Sequence, residues 1–312
     1  MRNLILFSAW LLWLLLAGST MLQTHWELAL LVFAALLLVP QGLALLERPV
    51  SVMYWLVVAG FSIAALIPPH PLSPWLSMPY VGYIVVEVYQ EFRRGYAGTK
   101  SRNLWLLSLL ALVYWLTGAI WAFCYFTEIR PFGFDLVIVA LTTNHFHLAG
   151  FVLTVLIRQL YSEQAGRLNG ALVVGAILGM PLVAAGITLT KFGYSPVLEW
   201  AAALGFALMA FAVLIQHIRL AFNPEYTLIV RMLWLSGSLF LLAGATLATL
   251  YALRFEYPIS WVNIPNMKWW HGSLNTLGFG WLTLSGWRLK GGQGNGSRLI
   301  GIPKYPQFKR LF

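Results

Sequence analysis

Two short segments hold most of the side chains in this sequence whose types and spacing suit chemistry. The first is Thr142-Thr143-Asn144-His145-Phe146-His147-Leu148-Ala149-Gly150-Phe151, and the second is Trp269-Trp270-His271-Gly272-Ser273-Leu274-Asn275-Thr276-Leu277-Gly278-Phe279. Imidazole exchanges protons near neutral pH and ligates metals, and an amide beside it can orient a substrate or a developing oxyanion. His145 and His147 are two residues apart, so on a regular helix they point about 200° away from each other. Either one serves a site while the other makes an interhelical hydrogen bond, or the helix is locally deformed. His271 and Asn275 share a helix face at i, i+4. Thr143 and His147 do the same, and Gly150 continues their face with room for close packing. The candidate site set is therefore His145, His147, His271, Asn144 and Asn275, with the three histidines also the candidate metal ligands. The competing reading of each is a packing role, with its polar atoms satisfied by neighbouring helices.

The remaining polar residues read more plainly. His25, His70 and His217 are expected to be interfacial, although His25 is followed by Trp26 and Glu27 and so has access to an outer-face site. Asp135 and Glu199 are expected to cap helix starts. Glu87 and Glu91, an i, i+4 pair, are expected to form surface ion pairs with Arg93 and Arg94, and Arg231 to snorkel toward headgroups. Zinc-helix, P-loop and nucleophile-elbow signatures are missing, so nothing points to ATP use. With the single cysteine, Cys124, no disulfide or thiolate cluster forms within one chain.

These residues must be positioned by apolar helices. The 312 residues are 60% hydrophobic and 10% charged, against about 25% charged in a soluble domain. Mean hydropathy is +0.75. So few charges cannot cover a water-facing surface, and the excess apolar surface must face lipid. Fifteen tryptophans and thirteen tyrosines suit bilayer interfaces. Segments long enough to span are read at 4–22, 28–46, 51–67, 72–90, 104–124, 134–158, 170–190, 197–218, 228–253 and 266–287. The fourth is interrupted by Pro74 and Pro79 and carries Glu87. The first resembles a secretory signal but has a longer apolar run, and a retained helix is expected. The expected architecture is all-α: a polytopic transmembrane bundle of about ten helices over residues 1–290, followed by a basic cytoplasmic tail at 291–312 made flexible by its glycines.

The net charge of +10 fits this layout better than it fits nucleic acid. With a cytoplasmic N-terminus, Arg130, Lys191, Arg254 and Lys268 fall outside, and the other sixteen of the twenty Lys and Arg fall inside. The positive-inside rule predicts that bias, and with it both termini in the cytoplasm and residence in an inner (plasma) membrane. His145 then sits about 15 Å below the outer end of the sixth helix, near the midplane, where ionisable groups are expensive and face a cavity or a partner.

The two histidine segments, with Pro131-Phe132-Gly133-Phe134 ahead of the first, resemble the YndJ-like family of bacterial polytopic membrane proteins. The resemblance implies a membrane-embedded fold and supports His145, His147, Gly150, His271, Gly272 and Asn275 as site candidates, without assigning them a reaction. The residues leave several functions open. The first is a membrane-embedded enzyme acting on a lipophilic substrate by acid–base or metal-assisted chemistry. The others are a proton-coupled transporter of a small molecule, a haem protein with one axial histidine from each of helices 6 and 10, and a structural factor. A metal held by these groups would be a divalent transition metal such as zinc, copper or iron rather than magnesium. Membrane lipids and a lipophilic or small-molecule substrate are the expected partners. All the site expectations require helices 6 and 10 to be neighbours, with His271 and at least one of His145 and His147 facing a shared space.

Overall fold

The computed structural model describes residues 2–67, 70–95, 101–164 and 166–299. The expected cytoplasmic charges Lys100, Lys304, Lys309 and Arg310 lie outside these residues. The described chain is helical, with no strand among the described residues. Its rods are α1 (Arg2–Ala17), α2 (Trp26–Leu45), α3 (Val52–Leu66), α4 (Ser73–Arg94), α5 (Arg102–Phe126), α6 (Leu136–Glu163), α7 (Arg167–Lys191), α8 (Val197–Ala221), α9 (Leu228–Ala252) and α10 (264–299). Their bounds track the apolar segments read from the sequence. The backbone of α10 stays helical to Leu299, through glycines expected to end it.

Six of the rods, α2 and α5 to α9, are long and apolar enough to cross a membrane. Large apolar side chains such as Leu56, Leu208, Phe211 and Leu239 stand exposed on the outside of the bundle, as expected of a surface solvated by lipid. Local chemistry sets the helix starts. The Ser51, Ser101 and Asn263 side chains each accept a backbone N–H from the first turn of α3, α5 and α10. Successive rods run antiparallel, so Arg48, Arg94 and Glu163 gather at one end of the bundle, the basic end. Trp26, Arg254 and Lys268 gather at the opposite end.

Helix α2 is the axis of the bundle. It is the most apolar rod, yet 89% of its apolar window is buried by protein. Helices α1, α3, α6 and α10 pack around it. Three of the rods carry widened π-type turns, at Ala34–Leu38 in α2, Phe146–Val152 in α6 and 274–280 in α10. In α2 the cause is Pro40: its ring offers no N–H to the Leu36 carbonyl and would collide with it, and the widened turn relieves the clash. The three wide turns meet one another at mid-depth. Gly280 is the meeting point, since a Cβ there would lie 2.9 Å from a Leu38 methyl and 3.3 Å from a Leu148 methyl.

The basic end is held by a buried ion cluster that the sequence reading did not anticipate. Arg48, only 5% exposed, binds Glu87 through Nη1 and donates from Nη2 to Glu91 Oε2 at 2.6 Å. Arg94 stands 3.7 Å from the same Glu91 oxygen, and Arg93 lies over the Tyr89 ring. The surface pairing expected for Glu87 and Glu91 is therefore corrected. Their main partner is a buried guanidinium, whose planar fork can serve two carboxylates at once. Glu199 is corrected too. It lies in the first turn of α8, but it is buried and pairs with Arg254 at 2.6 Å. Asp135 holds the N-cap position of α6 without a side-chain capping bond. Removing Arg48 would strand two buried carboxylates. The substitution Arg48→Ala is expected to cost about 3–5 kcal/mol, read as a lowered unfolding midpoint in detergent, and an unchanged midpoint would refute this role for the cluster.

Candidate functional site

The histidine segments fall where α6 and α10 widen. His145 immediately precedes the wide turn of α6 and His147 lies within it, while His271 precedes and Asn275 lies within the wide turn of α10. Helices α6 and α10 are neighbours. The imidazoles of His145 and His271 face each other with ring centres 5.8 Å apart and planes 29° from parallel. His147 points elsewhere. Both alternatives raised by the spacing therefore hold together: the helix is deformed, and the two histidines still part company.

The hydrogen bonds assign the protons. His145 Nδ1 lies 2.8 Å from the Leu141 carbonyl, and His271 Nδ1 lies 2.8 Å from the Gly244 carbonyl of α9. A carbonyl oxygen only accepts, so each Nδ1 carries the hydrogen and each Nε2 of the neutral ring keeps its lone pair. Among the described residues neither Nε2 has a hydrogen-bond partner, and both side chains keep partial exposure. Two lone pairs are thus available for a proton, a hydrogen-bond donor or a metal ion. Asn275 donates to the His271 carbonyl at 2.8 Å, and its amide nitrogen stands 3.3 Å from His271 Nδ1. Gly244 makes the seat for both, because a Cβ there would fall 2.4 Å from the Asn275 amide nitrogen.

His147 is spent on structure. It is completely buried, its Nδ1 donates to the Thr143 carbonyl at 2.8 Å, and its Nε2 accepts from the Tyr80 hydroxyl at 3.3 Å. That hydroxyl in turn accepts from Trp115 Nε1 at 2.7 Å. The ring fits against α5 only because residue 118 is glycine, where a Cβ would meet His147 Nδ1 at 2.7 Å. The histidine set suggested as metal ligands is therefore divided: His145 and His271 come together, and His147 has neither nitrogen free. Among the described residues no three or more His, Cys, Asp and Glu side chains cluster as a metal set would.

Asn144 also ties helices together, donating to the Glu27 carbonyl at 2.8 Å, while its Oδ1 is buried without a partner. Gly150 packs against the Tyr114 side chain and Gly272 against Leu30. His217, expected at an interface, is instead wholly buried. It sits 2.5 Å from Ser238 Oγ through Nδ1, and its Nε2 accepts from Trp287 Nε1 at 3.2 Å. His70 stays exposed in its loop, where Nδ1 accepts the Leu72 N–H at 3.2 Å.

The opposite end closes over the histidine pair. Trp26 stacks on Trp269 with ring centres 4.4 Å apart and donates to Ser273 Oγ at 2.9 Å. The buried Glu27 carboxylate lies 3.1 Å from Lys268 Nζ and 3.3 Å from His25 Nδ1. Lys268, His271 and Asn275 follow one another along one face of α10. Reading the sequence touched on Trp26 and Glu27 but missed their partner Lys268. The signal was available, since a carboxylate at the start of the most apolar helix needs a partner. The Gly244 carbonyl had no such signal, being one backbone acceptor on an apolar helix.

The YndJ-like family model matches residues 29–279, from the start of α2 to the wide turn of α10. The chain belongs to the YndJ-like family. No curated protein and no solved structure matches it. The matched span holds both histidine segments, the Gly244 seat, the wide turns of α2 and α6, and that of α10 except its last residue, Gly280.

Free and occupied imidazoles should differ in reactivity. Treatment of the detergent-solubilised protein with diethyl pyrocarbonate is expected to acylate His145 and His271 and to spare His147 and His217, as read by peptide mass mapping. Equal modification of all four would contradict the assignment. Tyr80→Phe, which removes the donor to His147, is expected to lower stability by about 1–3 kcal/mol, whereas His145→Ala should leave the unfolding midpoint nearly unchanged.

Proposed function

We propose that this YndJ-like protein is a membrane-embedded enzyme that acts on a lipophilic substrate through acid–base chemistry at the His145/His271 pair. The observation that carries the reading is the pair of facing imidazoles, each held at Nδ1 by a backbone carbonyl and each left with an unshared Nε2. The Nε2 lone pair of one ring then takes a proton from the substrate, and the imidazolium so formed returns that proton to the product. Asn275 holds the α10 backbone at His271 and presents an amide beside it. The Nε2 atoms are also suited to hold a zinc, copper or iron ion, which would supply Lewis-acid or bound-water chemistry at the same place. His147 supports the site from behind and is not among its reacting groups. In this reading all ten rods cross the bacterial inner membrane and both termini are cytoplasmic. The bias of sixteen basic residues to one side supports this, and so does the gathering of Arg48, Arg94 and Glu163 at one end of the bundle.

A proton-coupled carrier is the second reading, and a specific feature favours it. Helix α2 has a buried ion cluster at each end, Glu27–Lys268 at one and Arg48–Glu87–Glu91 at the other. Between them lie three helices with irregular turns, as in carriers that open alternately to the two faces.

The test uses the full chain reconstituted in vesicles of the expression host's total polar lipid. An enzyme is expected to generate lipid species of altered mass with the wild type and none with His145→Ala or His271→Ala. If the lipids stay unchanged and the wild type alone dissipates an imposed pH gradient, the enzyme reading fails and the carrier stands. Near-stoichiometric zinc, copper or iron in the wild type, lost in the double variant, would make the chemistry metal-assisted.

A further inference from the structure

The polar atoms around the His145/His271 pair limit what its ligand can carry. Each Nδ1 hydrogen is given to a backbone carbonyl, so both Nε2 atoms of the neutral rings are acceptors. The Asn144 amide nitrogen, next along α6, donates to the Glu27 and Ala140 carbonyls at 2.8 and 3.2 Å, and Asn144 Oδ1 is buried without a partner. Asn275 gives one amide hydrogen to the His271 carbonyl at 2.8 Å. Its second hydrogen has no acceptor in His271 Nδ1, 3.3 Å away, because that nitrogen carries a hydrogen of its own. The pair therefore presents two neutral acceptors with one neutral donor beside them.

Charge narrows the ligand further. Lys268, three residues before His271 on α10, has its ammonium 3.1 Å from the Glu27 carboxylate and 3.3 Å from the Thr24 carbonyl. That ion pair carries no net charge and leaves no unpaired cation to receive a phosphate. An ammonium fares no better, since among the described residues no carboxylate joins the two histidines in a cluster. His145 also lies nine residues into α6 from Leu136, about 14 Å along the helix. In a bilayer an ionic headgroup drawn to that depth loses the water that solvates it, which is expensive. A hydroxyl loses little, because it can donate to Nε2 and accept from Asn275.

We infer that the ligand of the His145/His271 pair is an uncharged lipid alcohol whose hydroxyl donates to one Nε2. The inference rests on the reading of the pair as a membrane-embedded acid–base site, and it names the substrate class of that site. The hydroxyl-to-Nε2 bond is the one through which a general base takes the hydroxyl proton.

The test is carried out on the full chain in detergent, treated with diethyl pyrocarbonate beside one of three probes with the same acyl chains. These are dioctanoylglycerol, dioctanoyl phosphatidate and trioctanoylglycerol, and peptide mass mapping reads the acylation rate at each histidine. Dioctanoylglycerol is expected to slow acylation of His145 and His271 about tenfold, the rate left to a site about nine-tenths occupied. The phosphatidate adds charge and the triacylglycerol lacks a donor, so neither is expected to change the rate. His70, exposed in its loop, should react equally throughout. His145→Ala is expected to weaken dioctanoylglycerol about fivefold, the scale of one lost hydrogen bond, as read by protection of His271. No protection by dioctanoylglycerol, or equal protection by either of the other probes, would overturn the lipid alcohol. Selective protection in a protein that alters no lipid of vesicles containing dioctanoylglycerol would uphold the ligand and remove the enzyme reading instead.

Discussion

The meeting of three widened helical turns around Gly280 is the constraint on which the rest of the structure depends. A helix interior normally leaves no room for a neighbouring helix backbone, and a glycine on one rod removes that obstacle. Here Leu38 of α2 and Leu148 of α6 close on Gly280 of α10. The contact places α2 in the middle of the bundle and brings α6 alongside α10. It also turns His145 and His271 toward each other. Without it, the two family segments would have no reason to share a space.

Within that frame the governing cost is the burial of polar atoms without water. The protein meets it at its two fully buried imidazoles by giving each two partners: His147 between Thr143 and Tyr80, and His217 between Ser238 and Trp287. Such rings stay neutral and hold helices in register. His145 and His271 break the pattern, since each spends one nitrogen on a backbone carbonyl and leaves the other unused. A half-buried imidazole left incomplete, where the two fully buried ones are completed, is the mark of a place where something else binds or reacts.

Charge follows the same logic at the two ends of α2. The most apolar rod begins at Glu27 and is followed, just past its last turn, by Arg48, and both charges are buried against partners on other helices. Pairs of this kind contribute little net stability, because desolvation offsets attraction, but breaking one is costly. They specify which ends of which helices must meet. Glu27 with Lys268 joins α2 to α10 over the histidine pair, and Arg48 with Glu87 joins α2 to α4 at the basic end.

The sequence by itself determined that the protein is all-helical with apolar helices suited to a membrane, and it placed most helix bounds to within a few residues, the end of α10 excepted. These follow from hydropathy, from capping residues and from loop composition, which act locally along the chain. It also singled out His145, His147, His271, Asn144 and Asn275, through i, i+4 spacings and the cost of an ionisable group at depth. Only the tertiary structure decided which histidines are free. Hydrogen-bond partners such as the Gly244 carbonyl and the Tyr80 hydroxyl come from helices remote in sequence, and a helical period says nothing about them. The same holds for Arg48 and the two glutamates. Spacing suggested a surface pair with neighbouring arginines, whereas packing supplied a buried guanidinium 39 residues from Glu87 and 43 from Glu91.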